Sequence, residues 1–249
     1  SFRSLSAMVK KVVITGGNRG IGLGLVVELL KNDQIGKVFA TTRNASKSPE
    51  LQSITDARLV IVEMDAGKDD SIEKAVDQIS KSVGTIGVDI LINNAGVLHP
   101  VDINAPIDRK EAIANFEVNC VATMAVTLAF KDLLKAAAKA NGSSQIVNIS
   151  SELGSISRTW GPCPPRHFTA YSMSKAALNL YTKTLSMDWA PEGIRATSIH
   201  PGWVKTDMGS EAADLTVEES CSSMAGMIVK FGAENNGLFY DWKFEPITW

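Results

Sequence analysis

KVVITGGNRGIG, Lys11 to Gly22, is the stretch from which the rest of the chain is read. Lys11–Thr15 is a β-branched run that favours an extended strand. It stops at Gly16 and Gly17, and Gly20 to Lys31 then reads as a helix that is apolar almost all round and therefore buried. A strand, a glycine turn and a buried helix, in that order, make the first half of a βαβ unit. Gly16, Gly20 and Gly22 permit a tight turn and let backbone come close to a diphosphate, with Asn18, Arg19 and Ile21 filling the loop between them. The helix beyond offers unpaired N–H groups and the positive end of its dipole. Glycine spacing alone is a weak signal, and its place between a strand and a helix is what gives it weight.

Outward from this loop the same rhythm repeats. Lys37–Thr42, Leu59–Glu63 and Val88–Asn93 read as further strands, and Ser71–Val83 as a helix with Ile72, Val76 and Ile79 on one face. Ala105–Ala140 is a long helical region that stops at Asn141–Gly142, a C-cap pair. Gln145–Ile149 and Ile194–Ile199 are the fifth and sixth strands, separated by a helix over Thr169–Ala190. Val217–Phe231 reads as another helix and Gly237–Tyr240 as a closing strand. The pattern predicts an α/β fold: a single Rossmann-type, doubly wound parallel sheet of about seven strands with helices on both faces. Glu152–Ala170 and Gly202–Thr216 break the rhythm, and long loops at strand C-termini are where open α/β sheets hold ligands.

Composition narrows the function. The 249 residues are 45% hydrophobic and 21% charged with a formal net charge of −2, which gives no field for a nucleic-acid or membrane partner. No uninterrupted apolar run reaches the ~18 residues that span a bilayer. Cys120, Cys163 and Cys221 are odd in number and far apart, so a reducing, cytoplasmic compartment is expected rather than a disulfide framework. Residues 1–7 are read as a foreign or disordered leader ahead of Met8, and residues 8–249 as one domain.

Two further patterns carry chemistry. An acid at the end of the second strand would hold a ribose 2′-hydroxyl, whereas this chain has Thr42-Arg43-Asn44 there. Arg43 together with Arg19 suits a 2′-phosphate, through charge-assisted and bidentate bonds, and so favours NADP(H) over NAD(H). Tyr171-Ser172-Met173-Ser174-Lys175 opens a helix, and its Tyr and Lys, four apart, share a face. An ammonium beside a phenol is expected to lower the phenol's pKa from about 10 toward a useful range. By itself Y-x-x-x-K is more often an ordinary helix with two exposed side chains.

The T-G-x-x-x-G-x-G spacing, Asn93-Asn94-Ala95-Gly96, Ser150-Ser151, Tyr171…Lys175 and Pro201-Gly202, in that order, resemble the short-chain dehydrogenase/reductase family over nearly the whole chain. Within it, Asn18–Leu25 and His200–Gly209 look like the sniffer-type carbonyl reductases. The resemblance implies a catalytic set of Asn119, Ser151, Tyr171 and Lys175. Tyr171 would donate the proton, Ser151 would bind the substrate oxygen, with Ser150 as the alternative one position away, and Asn119 would hold a relay water. It implies cofactor contacts from Asp65 to the adenine, from Asn94, Ala95 and Gly96 on the nicotinamide side, and from Pro201, Gly202, Val204 and Thr206 to the carboxamide. Lys175 would also bind the nicotinamide ribose.

The implied reaction is NADPH-dependent reduction of an aldehyde, ketone or quinone, a small-molecule carbonyl substrate. A non-catalytic NADP(H)-binding regulator and an alcohol dehydrogenase working oxidatively stay open beside it. Trp160, Trp203 and Met208 either bound an apolar substrate pocket or simply pack their loops. The stretch between Ser151 and Tyr171 is longer than in many members and carries Trp160, Pro162, Pro164, Pro165 and Phe168. Members of the family pair through the two long helices, so a homodimer is expected.

Overall fold

The computed structural model describes residues 9–158 and 168–249; Met8, Trp160 and Cys163 lie outside them. Its strands are β1 (Lys10–Ile14), β2 (Ile35–Thr42), β3 (Leu59–Glu63), β4 (Ile90–Asn93), β5 (Ser144–Ile149), β6 (Ile194–His200) and β7 (Phe239–Asp241). The helices are α1 (Gly20–Leu30), α2 (Pro49–Gln52), α3 (Asp69–Val83), α4 (Arg109–Phe116), α5 (Thr123–Ala129), α6 (Lys131–Asn141), α7 (Thr169–Asp188) and α8 (Val217–Ile228). All seven strands join one sheet in the order β3-β2-β1-β4-β5-β6-β7, and every neighbouring pair is parallel.

Both faces of that sheet are covered, which is why its central strands are nearly continuous apolar runs. Val12, Ile14, Ile90 and Ile92 pack on one side with Leu25, Val26 and Leu29 of α1 and Met224 and Ile228 of α8. Val13, Phe39, Leu91 and Ile146 point to the other side, against Ile72 and Ile79 of α3, Val126 of α5, Leu134 of α6 and Leu185 of α7. The chain runs outward from β1 to β3 and then returns to β4 on β1's other flank. A crevice therefore opens beyond the C-terminal ends of β1 and β4, where ligands bind in such sheets.

Element boundaries differ from the sequence expectation where local chemistry intervenes. The expected helix over Ala105–Ala140 starts only at Arg109, because Asp108 caps it through the N–H groups of Lys110 and Glu111. A π-helical segment at Glu117–Ala122 interrupts it, and it breaks again at Phe130 before α6. Gly142, at φ 87°, closes α6 at the expected place. α7 ends at Asp188 rather than Ala190, α8 ends at Ile228 rather than Phe231, and Gly237, at φ 72°, is a turn before β7 rather than part of it.

By length and composition alone, the continuous helix Arg109–Ala129 could cross a membrane, although Lys110, Glu111 and Glu117 interrupt its apolar residues. In the fold it lies against the sheet and α7, with Asn115, Asn119, Val126 and Thr127 buried in protein.

Candidate active site

The glycine loop leaves β1 and opens α1 with no side-chain cap and no acid in the first turn, so the helix's first N–H groups and dipole end are left to a ligand. Gly22 has a packing reason as well. A Cβ there would stand 2.1 Å from the Gly16 carbonyl oxygen and 2.5 Å from the Asn94 amide nitrogen. Asn94 Nδ2 donates to the Thr15 and Gly16 carbonyls (2.9 and 3.1 Å), while Thr15 Oγ1 accepts from the N–H groups of Asn94 and Ala95 (2.9 and 3.0 Å). Asn94, Ala95 and the loop are thus one unit, with Gly96 leading on toward Asn119 and Lys175.

α7 carries Tyr171 and Lys175 inward, one turn apart, and both are buried. The Tyr171 hydroxyl is hydrogen-bonded to the Ser151 side chain. Ser151 Oγ also accepts the Leu153 N–H at 3.2 Å, which fixes its rotamer. Ser150 faces elsewhere and donates to Asn179 Oδ1 at 2.6 Å, so the register places Ser151, not its neighbour, against the phenol. Lys175 Nζ donates to the Ile149 carbonyl at 2.9 Å and lies 5.7 Å from the centre of the Tyr171 ring.

The expected effect of the ammonium on the phenol is not what the structure produces. Burial pushes the Tyr171 phenol up to about 12, and the Ser151 hydrogen bond pulls only partly the other way. Burial pulls the Lys175 ammonium down to about 8. Desolvation disfavours the charged form of each group and is the largest cause for both. The phenol is therefore neutral at physiological pH and holds a proton to give.

Asn119 sits in the π-helical segment, with its side chain fully engaged. Its Oδ1 accepts the Val97 N–H (2.9 Å), and its Nδ2 donates to the Val97 carbonyl (2.9 Å) and to Ser174 Oγ (3.0 Å). Ser174 Oγ in turn donates to the Tyr171 carbonyl at 2.7 Å. The side chain thus locks the exit of β4 to the start of α7. A relay water would have to meet the backbone of Asn119 rather than its amide.

The other expected cofactor residues follow the C-terminal ends of β1, β2, β3 and β6, and several have partners of their own. Asp65 accepts the Gly67 N–H and pairs with Lys68 at 3.5 Å. Asn44 accepts the Lys47 N–H and so caps the short turn after β2. Arg43 is exposed and forms no ion pair among the described residues. Arg19 does not stand free beside it: its Nη1 donates to Asp207 Oδ2 at 2.9 Å. After β6, the Pro201 carbonyl accepts Ser220 Oγ, Val204 pairs with Leu215, and Thr206 Oγ1 donates to the Val204 carbonyl and accepts the Gly209 N–H. Trp203 and Met208 are half-exposed, and Trp203 Nε1 donates to the Gly209 carbonyl at 2.6 Å. Trp160 lies outside the described residues.

Sequence reading did not anticipate two links. A buried chain of hydrogen bonds crosses the strand ends from Thr127 through Asn93, Asn148 and Thr182 to Ser198, with every link between 2.8 and 2.9 Å. Glu152, next to Ser151, pairs with His200 at the end of β6 (3.4 Å) and with Arg158 (3.3 Å), and this holds its carboxyl below the usual range. Polar residues in otherwise apolar strands were the available signal for the first; nothing local in the sequence announces the second.

The comparisons fit this geometry. Residues 10–215 match the family model described as short chain dehydrogenase. The chain belongs to that family. It is similar to the carbonyl reductase Sniffer of Drosophila melanogaster, at 38% identity and a TM-score of 0.90 over 97% of this chain and 100% of that one. It is also similar to an NADPH-bound carbonyl reductase from chicken fatty liver, at 34% identity and a TM-score of 0.91 over 97% and 94% of the two chains. An uncharacterized oxidoreductase of Schizosaccharomyces pombe is 33% identical over 96% of this chain and 97% of its own. The chain is thus an oxidoreductase of the short-chain dehydrogenase family with a Rossmann-like fold.

The buried ammonium gives a stability test. A pKa held at about 8 in place of 10.5 corresponds to roughly 3 kcal/mol, more than the ~1 kcal/mol of the Ile149 hydrogen bond. Lys175→Met is therefore expected to melt above the wild type near pH 6. Between pH 8 and 10.5 the unfolded chain binds more protons than the folded one, so wild-type stability from this group rises with pH and the gap narrows. Calorimetry at several pH values checks this; a lower melting temperature for the variant near pH 6 contradicts the burial argument.

Proposed function

We propose that this protein is an NADPH-dependent carbonyl reductase acting on an aldehyde, ketone or quinone, with Tyr171 as the proton donor. The observation that carries the reading is the buried Tyr171 hydroxyl held beside Ser151, with Lys175 one turn away. A bound NADPH supplies the hydride. The α1 N-terminus and the glycine loop suit its diphosphate, Asp65 its adenine, Arg19, Arg43 and Asn44 its 2′-phosphate, and Pro201, Gly202, Val204 and Thr206 its carboxamide. The NADPH-bound chicken relative supports the choice of cofactor.

As the substrate carbonyl is reduced, negative charge gathers on its oxygen. Ser151 Oγ donates a hydrogen bond to that oxygen, and the Tyr171 hydroxyl transfers its proton there. A phenol with its pKa at about 12 remains a stronger acid than an alcohol, so the transfer runs downhill to the alkoxide. Lys175 stabilises the phenolate left after transfer, and Asn119 keeps the turn that bears Tyr171 in place through Ser174. Reduction of small molecules by a homodimer is the further reading. Met173, Leu180 and Met187 recur every seven residues on α7, and Val121, Met124 and Leu128 lie on the neighbouring helix, all exposed. An apolar surface of this kind suits a self-complementary contact.

Tyr171→Phe should keep NADPH binding and lose roughly 10²- to 10⁴-fold in turnover of a diketone or quinone; near wild-type turnover removes Tyr171 from its role. Arg43→Asp should lower the NADPH-to-NADH ratio of kcat/KM by on the order of tenfold or more, and an unchanged ratio rejects the 2′-phosphate assignment. Sedimentation should give a dimer for the wild type and a monomer for Leu180→Asp; a wild-type monomer at every concentration refutes the pairing.

A further inference from the structure

The glycine loop and the segment after β6 touch each other in two places. Arg19 Nη1 and Asp207 Oδ2 are 2.9 Å apart although 188 residues separate them in the chain. Beside them, a Cβ built on Gly20 would meet Thr206 Cγ2 at 3.3 Å, so the two segments stand in van der Waals range. The ion pair's side chains are 68% and 79% exposed. A pair so open to water is worth at most about 1 kcal/mol and is screened by salt. It is a contact that exchanges readily. Among the described residues Asp207 makes no other ion pair, and Arg19 makes none either.

Arg19 also belongs to the pair of arginines assigned above to the 2′-phosphate. A phosphate monoester carries nearly two negative charges and three acceptor oxygens, against one charge on a carboxylate. It therefore outbids Asp207 for the guanidinium, but only by the difference between the two interactions. We propose that Asp207 is a specificity-determining residue: its carboxylate competes with the cofactor's 2′-phosphate for the Arg19 guanidinium. It thereby lowers the preference for NADP(H) over NAD(H) and keeps the phosphorylated cofactor exchangeable. The inference rests on the NADP(H) reading and adds to it a residue that acts against the preference rather than for it. NAD(H), which lacks the 2′-phosphate, has nothing to gain from Arg19 at that point and is indifferent to the competition.

The test is equilibrium binding, read from cofactor and tryptophan fluorescence, for the wild type, Arg19→Ala, Asp207→Asn and the double variant, each with NADPH and with NADH. Asp207→Asn should tighten NADPH by about two- to fivefold, the equivalent of one exposed ion pair, and leave NADH within about twofold. The gain should vanish in the Arg19→Ala background, because a competitor has no effect once the contested group is gone. Tightening that is equal for both cofactors, or that survives without Arg19, is simple removal of a negative charge and overturns the proposal. So does unchanged or weaker NADPH binding by Asp207→Asn. Arg19→Ala alone separates this failure from failure of the underlying reading. If it weakens NADPH but not NADH, the 2′-phosphate assignment holds whatever Asp207 does; if it leaves NADPH untouched, that assignment falls and the competition falls with it.

Discussion

The bond from Lys175 to the Ile149 carbonyl is the constraint around which the active region is organised. An ammonium cut off from water must be met by protein groups or lose its charge. Here a strand-end carbonyl meets it, and so the first turns of α7 are tied to the end of β5. Tyr171, one turn earlier, is then carried to the serine that follows that strand. The burial that makes Lys175 a reluctant cation makes Tyr171 a reluctant anion. Burial thus disfavours the charged form of both groups.

Around that bond the strand ends are joined by polar links rather than apolar packing. Asn93 and Asn148 sit on adjacent strands, and their amides pass hydrogen bonds from α5 through the sheet to α7 and β6. Polar groups buried in this way cost stability unless each finds a partner, and a chain of partners tolerates only one arrangement of strands and helices. Glu152 and His200 add a second tie between the loops that leave β5 and β6. Precision at the crevice thus comes from directional contacts placed where the two apolar cores end.

The fold was legible in the sequence because its signals are local. β-branched runs, apolar helix faces and the glycine loop each report on a few neighbouring residues, and together they gave the seven strands and their sense. Boundaries slipped where one side chain overrides a trend, as Asp108 does at the start of α4 and Gly237 does before β7. Tyr171, Lys175 and Ser151 were legible as a motif in order, and the structure brings them together. What composition and spacing could not reveal is the balance between burial and charge. The sequence shows a cation one turn from a phenol, but only packing shows that desolvation dominates both. Arg19 likewise reads as a free cation until the fold brings a carboxylate from far down the chain beside it.

The π-helical segment at Glu117–Ala122 has a consequence for phase along its helix. Asn119 and Thr127, eight residues apart, both reach into the protein, one toward the loop after β4 and the other to Asn93. In an uninterrupted α-helix eight residues turn through roughly 800°, which leaves the two side chains about 80° out of line. One accommodated extra residue removes roughly 100° of winding and brings them to within about 20°. The wide turn therefore works as a phase corrector: tightening it into ordinary α-helix with all of its residues kept would swing one of the two inward anchors about 80° away from the other.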